Sequence, residues 1–348
     1  MIRAETDPIL LDAADLAIGG EEAPRPRRRT NRKDQNAPPR QSFAPPALVP
    51  SWARAAGGEG DALFAAGASL ALLDAFLRRD PPCGAVLRQR LALQAAAASA
   101  KILRLRADLD SLRDLRFAVT DDLGPSARLL KLWRDLAGRP PVLDGRRLTK
   151  AAEALELRPA DSEGLAATLK EAGKEGNPAS AATQAAIAAF AAFPDAPVAT
   201  AEVFALWAFD LALAVRLRWE RPLPLIATKI LDPALHAPGT DRRQKPDDPG
   251  WDRAAAAAIA LAASAALDLG ADLSRRAETL LTVAPKLRAR PAMTIVERLL
   301  AEDAVAPGEA ARATKMTERS ARRLFERLMK LGAVRELSGR SSFRMFGL

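Results

Sequence analysis

The stretch Thr317-Glu318-Arg319-Ser320-Ala321-Arg322-Arg323-Leu324-Phe325-Glu326-Arg327-Leu328-Met329-Lys330-Leu331-Gly332 decides the reading of this chain. Thr317 is a natural N-cap, because its hydroxyl can accept from a free backbone N–H of the first turn. Ala321, Leu324, Phe325, Leu328 and Leu331 recur at i, i+3, i+4, i+7 and i+10, which places them on one helical face. Arg319, Arg322, Arg323, Glu326 and Lys330 fall on the opposite face. Gly332 supplies the left-handed backbone that ends a helix at C′. The spacing predicts an amphipathic helix over 318–331, apolar side inward and basic side outward.

Upstream, Met293 to Leu300 has apolar residues at 295, 296, 299 and 300, a first helix. Pro307 can open a second, short one running to Thr314, with small Ala310, Ala311 and Ala313 for close packing. Lys315-Met316 makes the turn into the basic helix. Downstream, Ala333 to Leu337 and Ser342 to Phe346 read as two short strands about the turn Ser338-Gly339-Arg340-Ser341. Helix, short helix, turn, basic helix and hairpin is the order of a winged helix-turn-helix, expected over 286–348. In that geometry the third helix enters the major groove of duplex DNA with its N-terminal side chains nearest the bases. The candidate DNA-contacting residues are therefore Thr317, Arg319, Ser320, Arg322, Arg323, Arg327 and Lys330, with Arg340 at the hairpin tip and Arg344 on the returning strand. Winged helices also dock proteins. The alternative is an interaction protein whose terminal module holds a partner in a DNA-organising complex.

Ahead of this segment, hydrophobic residues make up 49% of the chain, yet Ala dominates them, aromatics supply 5% and Tyr is absent. Ala favours helices, whereas strands want β-branched and aromatic residues. The expected fold class is all-α, a multi-helix bundle over 51–285 followed by the winged helix with one short β-hairpin. Helical spacing places elements at Asp61–Arg79, Ala85–Val119 (one helix or two), Ser126–Ala137, Arg146–Leu157 and Ser162–Ala172. Further ones fall at Ala179–Phe193, Thr200–Trp219, Leu223–Ile230 and Trp251–Val283, with a Pro-rich loop from Asp232 to Gly250. Leu93–Ala100 leading to Ala107-Asp108-Leu109 resembles Ala260–Ala266 leading to Ala271-Asp272-Leu273, so either two related helical units or chance likeness of Ala-rich helices is at work.

The net charge of +9 is unevenly placed. Residues 1–23 carry −5, residues 24–54 carry +7, residues 55–285 are neutral, and residues 286–348 carry +7. Two basic ends on a neutral body suggest polyanion contacts at the ends. Arg25, Arg27, Arg28, Arg29, Arg32, Lys33 and Arg40 lie among seven prolines between 24 and 50. The expectation for 1–50 is a disordered basic arm, either bound to nucleic acid or a solvated linker.

Little else carries chemistry. Asp268 and Asp272 share a helix face, but bases such as Arg275 and Arg276 stand beside them and no His does. The pairs Asp121-Asp122, Asp247-Asp248 and Glu302-Asp303 sit at predicted loop or helix ends, where acids cap. His236 is the one histidine, in a loop, and Cys83 starts a helix, so no zinc spacing or internal disulfide is expected. Neither a phosphate loop nor a dinucleotide glycine pattern is present. The sequence argues for a binding protein rather than an enzyme, with no cofactor or metal. The longest uncharged stretches, near 254–267 and 178–194, are too short to span a bilayer. Met1 to Gly20 lacks the basic-then-apolar order of a secretory leader. A soluble cytoplasmic protein with duplex DNA as partner is expected, and the body is left to form a homodimer or hold a protein partner.

Several stretches resemble a family of uncharacterised proteins of rhizobia and related α-proteobacteria, often plasmid-borne: domain-of-unknown-function family fourteen hundred and three. They are Leu87–Leu93, Arg218–Leu225, Ala284–Arg288, and above all Ser320–Leu328 continuing through Leu331–Arg340. The resemblance implies no activity; plasmid carriage adds plasmid maintenance to transcription regulation as an expected role. The tail also resembles the terminal helix-turn-helix of some Fic-domain proteins. The Fic signature, His-Pro-Phe followed by Gly-Asn-Gly-Arg, is missing, so AMP transfer does not carry over. If the arm contacts phosphates, deleting residues 1–50 lowers the slope of log K against log salt by about 0.9 per phosphate it neutralises, with sequence preference unchanged. Loss of preference on deletion would make the arm a reader instead.

Overall fold

The low-aromatic, Ala-rich composition gives what it predicts, a mostly helical chain. The computed structural model describes residues 49–50, 59–117, 124–174, 176–237, 239–287, 290–338 and 343–348. Residues 47–348 form one compact unit. Its helices are α1 (Glu59–Leu77), α2 (Gly84–Ile102), α3 (Leu109–Leu115), α4 (Pro125–Gly138), α5 (Gly145–Ala154), α6 (Ser162–Ala172) and α7 (Pro178–Ala191). After these come α8 (Val198–Leu217), α9 (Ile226–Lys229), α10 (Trp251–Val283), α11 (Arg290–Ala301), α12 (Pro307–Thr314) and α13 (Glu318–Lys330). Two short 3-10 turns, Pro233–Leu235 and Ala284–Lys286, and two strands, β1 (Arg335–Glu336) and β2 (Phe346–Gly347), complete the described elements.

Where the helices stop follows from local chemistry. The 85–119 stretch is two helices: Arg104 turns left-handed at φ 55° after α2, and Asp108 restarts the chain in a capping box with Ser111. The helix expected over 223–230 shrinks to α9, because a residue preceding proline, as Leu223 precedes Pro224, is pushed out of the α region. The two look-alike Ala-rich stretches differ locally. Asp108 is an N-cap, whereas Asp272 lies inside the unbroken α10, paired with Arg275 and Arg276 as expected. Asp121 and Asp122, and all of the 1–50 arm but Val49 and Pro50, lie outside the described residues; Val49 is buried in the core.

The core is built on α8, apolar on all sides and buried from Ala201 to Ala214. α7 packs along it, while α1 packs along α10 and α2 against α4. Gly270 lets α1 and α10 close up, since a Cβ there would meet Phe76 Cε1 at 2.8 Å. Among the described residues, α8 and the stretch Trp251–Lys286 are long and apolar enough to cross a membrane by length and composition. α8 does not stand out as an uncharged stretch because it carries Glu202 and Asp210. Most of both helices is buried inside the unit. Glu202 is held by a two-pronged contact from Arg243, one prong at 2.8 Å. Asp210 accepts from the backbone N–H groups of Leu225 at 2.9 Å and Ile226 at 3.2 Å, capping α9 from another helix. Burial raises the Asp210 pKa well above the ordinary carboxylate value, against those two hydrogen bonds.

A second buried acid joins distant parts of the chain. Asp303, between α11 and α12, receives Arg113 Nε from α3 at 2.7 Å and Arg90 Nε from α2. Arg116 donates to the Ala304 carbonyl at 2.7 Å and lies 3.2 Å from Glu302, which Arg134 of α4 also reaches at 2.9 Å. Glu302-Asp303 is thus an anchor for four arginines and not the cap that its position suggested. Burial would raise the Asp303 pKa, but the charges of Arg90 and Arg113 outweigh it and hold the carboxyl below its usual range. With the folded pKa depressed, this contribution to stability is complete above about pH 4, the unfolded value, and is lost as pH falls through the folded one. Asp303→Asn is expected to cost about 3–5 kcal/mol at pH 7, since buried Arg90 loses its counter-charge and Arg113 keeps only the exposed Asp110, at 3.1 Å. The gap between variant and wild type in urea melts should narrow below about pH 4. A gap that is small at pH 7, or independent of pH, would contradict this.

Candidate nucleic-acid interface

The terminal segment is assembled from its caps inward. Pro307 opens α12, and Lys315 closes it left-handed at φ 56°, with Met316 N–H donating to the Ala311 carbonyl at 3.1 Å. Thr317 then caps α13, its Oγ1 accepting from Ser320 N–H at 3.2 Å. At the far end Gly332 stands at φ +69°, and Ala333 N–H reaches back to the Leu328 carbonyl at 2.9 Å. That is the expected glycine C′ ending.

Ala321, Phe325 and Leu328 are fully buried as expected. Two expected core positions are corrected: Leu324 is only half-buried, and Leu331 is 42% exposed. α13 ends at Lys330, so Leu331 no longer follows the helical face and turns to the surface beside Gly332. The ring of Phe325 stacks on Phe346 of β2, centroids 4.7 Å apart and planes at 15°.

The strands are shorter than expected, and the second begins later. Arg335 pairs with Gly347 and Glu336 with Phe346, antiparallel. Val305, between α11 and α12, adds a bridge on the other side of Phe346, with N···O distances of 2.8 and 3.0 Å. Gly347 sets this register, because a Cβ there would lie 2.5 Å from the Asp303 carbonyl oxygen.

With its apolar side fixed in this way, α13 turns its polar side to solvent. Thr317, Arg319, Ser320, Arg322, Arg323, Arg327 and Lys330 are all exposed and follow one another along it. Thr317 and Ser320 are tied into the cap, their hydroxyls 2.9 Å apart. Arg322 is paired with Glu318 one turn back. Arg327 donates to the Lys286 carbonyl at 3.4 Å. Among the described residues Arg319, Arg323, Arg327 and Lys330 enter no ion pair, and they sit at i, i+4, i+8 and i+11, a single basic stripe.

Arg344 does not join the stripe. Glu336 takes its Nε at 3.0 Å and its Nη2 at 2.7 Å, Glu326 lies 3.9 Å away, and its guanidinium covers the Phe346 ring at 5.1 Å. The Glu336 contact raises the Arg344 pKa. Arg340 lies outside the described residues. Phe343, 39% exposed, meets Phe117 edge-on at 5.6 Å, a contact the sequence did not announce.

Elsewhere the candidates read as structural. Cys83, at the start of α2, is buried against Ser274 Oγ at 3.2 Å, and burial pushes its thiol pKa up. His236 forms an antiparallel bridge with Arg243 in the Pro-rich loop. Asp248 closes a turn by accepting from Lys245 N–H at 2.8 Å. Among the described residues no three His, Cys, Asp or Glu side chains gather as a metal site.

A family described as "Protein of unknown function (DUF1403)" matches residues 39–348, and the chain belongs to that family. No curated protein matches it.

Proposed function

We propose that residues 286–348 are a winged helix-turn-helix module and that the protein binds duplex DNA, with α13 as its reading helix. The observation that carries this is the stripe of Arg319, Arg323, Arg327 and Lys330, exposed and outside any ion pair among the described residues. Exposed charges with no carboxylate partner, in line on a helix locked from behind, suit a phosphate-lined groove. The order α11, Val305 bridge, α12, α13, β1, β2 supports the same reading, with the β1–β2 pair as the base of the wing. The role that fits is a cytoplasmic transcriptional regulator or plasmid-maintenance factor of α-proteobacteria. The helical body is then free to pair with a second copy or a protein partner.

An arginine that reads guanine with two hydrogen bonds discriminates by roughly 1–3 kcal/mol, while one on phosphate weakens all sequences alike. Arg319→Ala and Arg323→Ala remove no core volume and should melt within about 0.5 kcal/mol of wild type. Fluorescence anisotropy on a duplex selected from a random pool, beside a scrambled one, should show specific binding about tenfold or more weaker in at least one variant. Phe325→Ala should instead unfold the segment, at a cost of about 3–5 kcal/mol. If both arginine variants bind both duplexes like wild type and lose a protein partner, the module docks proteins and the proposal fails.

A further inference from the structure

A cleft of about 670 Å3 is lined by α4, α5 and the segment between them, with Trp207 of α8 beneath. That size suits a small organic molecule. Leu132, Leu136 and Ala151 form apolar walls, and Trp207 of α8 lines it from the core. Trp207 is buried, stacked on Phe204 at 5.8 Å, and its indole N–H has no acceptor.

The rim has the opposite character. Six bases and three acids line the cleft, the acids being Asp135, Asp144 and Glu153. Asp135 is occupied by Lys150 at 3.3 Å and Arg139 at 3.8 Å. Asp144 spends a carboxylate oxygen capping α5, accepting from Arg147 N–H at 2.7 Å. Lys131, Arg146 and Arg147 enter no ion pair among the described residues. Arg147 is half-buried, and its guanidinium donates only to the backbone carbonyls of Pro140 and Leu136. Those bonds orient the fork and leave further N–H donors without a carboxylate. Burial, and then the positive charge of Arg139, lower the Arg147 pKa against the charges of Asp144 and Asp135.

We infer that this cleft binds an organic acid, its anionic head on Arg147 and its apolar, ring-bearing body against Leu132, Leu136 and Trp207. Neither half of the site explains the other. A solvated basic rim needs no apolar pocket beneath it, and an apolar pocket needs no half-buried guanidinium lacking a carboxylate at its mouth. The site lies on the helical body and is separate from the α13 stripe, so it gives the body a ligand whether or not the terminal segment binds DNA.

The probes are two dyes of one shape, anilinonaphthalene sulfonate and the neutral phenylnaphthylamine, titrated into the full chain by fluorescence. The sulfonate should fill one saturable site. Arg147→Gln should weaken it about tenfold or more while changing the neutral dye less than about twofold, because only the charge-assisted contact is lost. Val142→Trp, on the exposed rim, fills the mouth without touching the core and should weaken both dyes. Melts by circular dichroism accompany each variant. If Arg147→Gln fails to fold, Val142→Trp decides alone, with loss of both dyes supporting the cleft. The inference is overturned if the sulfonate shows no saturable site, if Val142→Trp binds both dyes unchanged, or if a folded Arg147→Gln binds the sulfonate as wild type does or loses both dyes equally.

Discussion

Asp303 is a carboxylate buried between two guanidiniums, Arg90 of α2 and Arg113 of α3, the former 213 residues away in the chain. Such a group has few places to go. Left alone in the core it would be costly, and so would Arg90 without it. The loop between α11 and α12 is therefore fixed in position, and much follows from it. Val305 is carried to Phe346, Gly347 comes against the Asp303 carbonyl, and Phe346 meets Phe325. The Phe325 stack sets the roll of α13, and the roll decides which arginines face solvent.

Charge inside the body is managed by the same rule. Glu202 and Asp210 interrupt α8, the most deeply buried helix, and each is satisfied in its own way: Glu202 by Arg243, Asp210 by two backbone N–H groups at the start of α9. Burial keeps the Asp210 carboxyl toward its neutral form, whereas the paired arginines keep Asp303 ionised. On the surface, pairing sorts the arginines. Arg344 is consumed by Glu336 and Arg322 by Glu318, while Arg319, Arg323 and Arg147 stay available. In the proposed account those available groups are the binding groups, at one site for DNA and at another for an organic acid.

Patterns local to a few turns were legible in the sequence. The Thr317 cap, the Gly332 ending, α12 from Pro307 to Thr314 and the long α10 follow from residue type and 3.6-residue spacing. Contacts between distant positions were not. Nothing near Asp303 announces that Arg90 and Arg113 will close on it, and nothing near Arg344 says that Glu336 will take it. Leu331 keeps the apolar spacing in the sequence but lies past the end of α13 at Lys330, so it turns to the surface. The basic cleft was hidden by averaging. Residues 55–285 sum to zero, and that sum conceals the six-to-three excess among the residues that line the cleft.

The most direct test is whether the terminal segment and the body unfold together. All five tryptophans lie at or before residue 251, so intrinsic fluorescence reports the body alone. A dye on Lys330→Cys, at an exposed site of α13, reports the terminal segment, with Cys83 buried and out of reach. In urea the two signals should trace one coincident transition, and Asp303→Ala in the same labelled chain should split it, with the dye signal moving first. Two separate transitions in the chain that keeps Asp303 would show that the buried carboxylate does not couple the segment to the body.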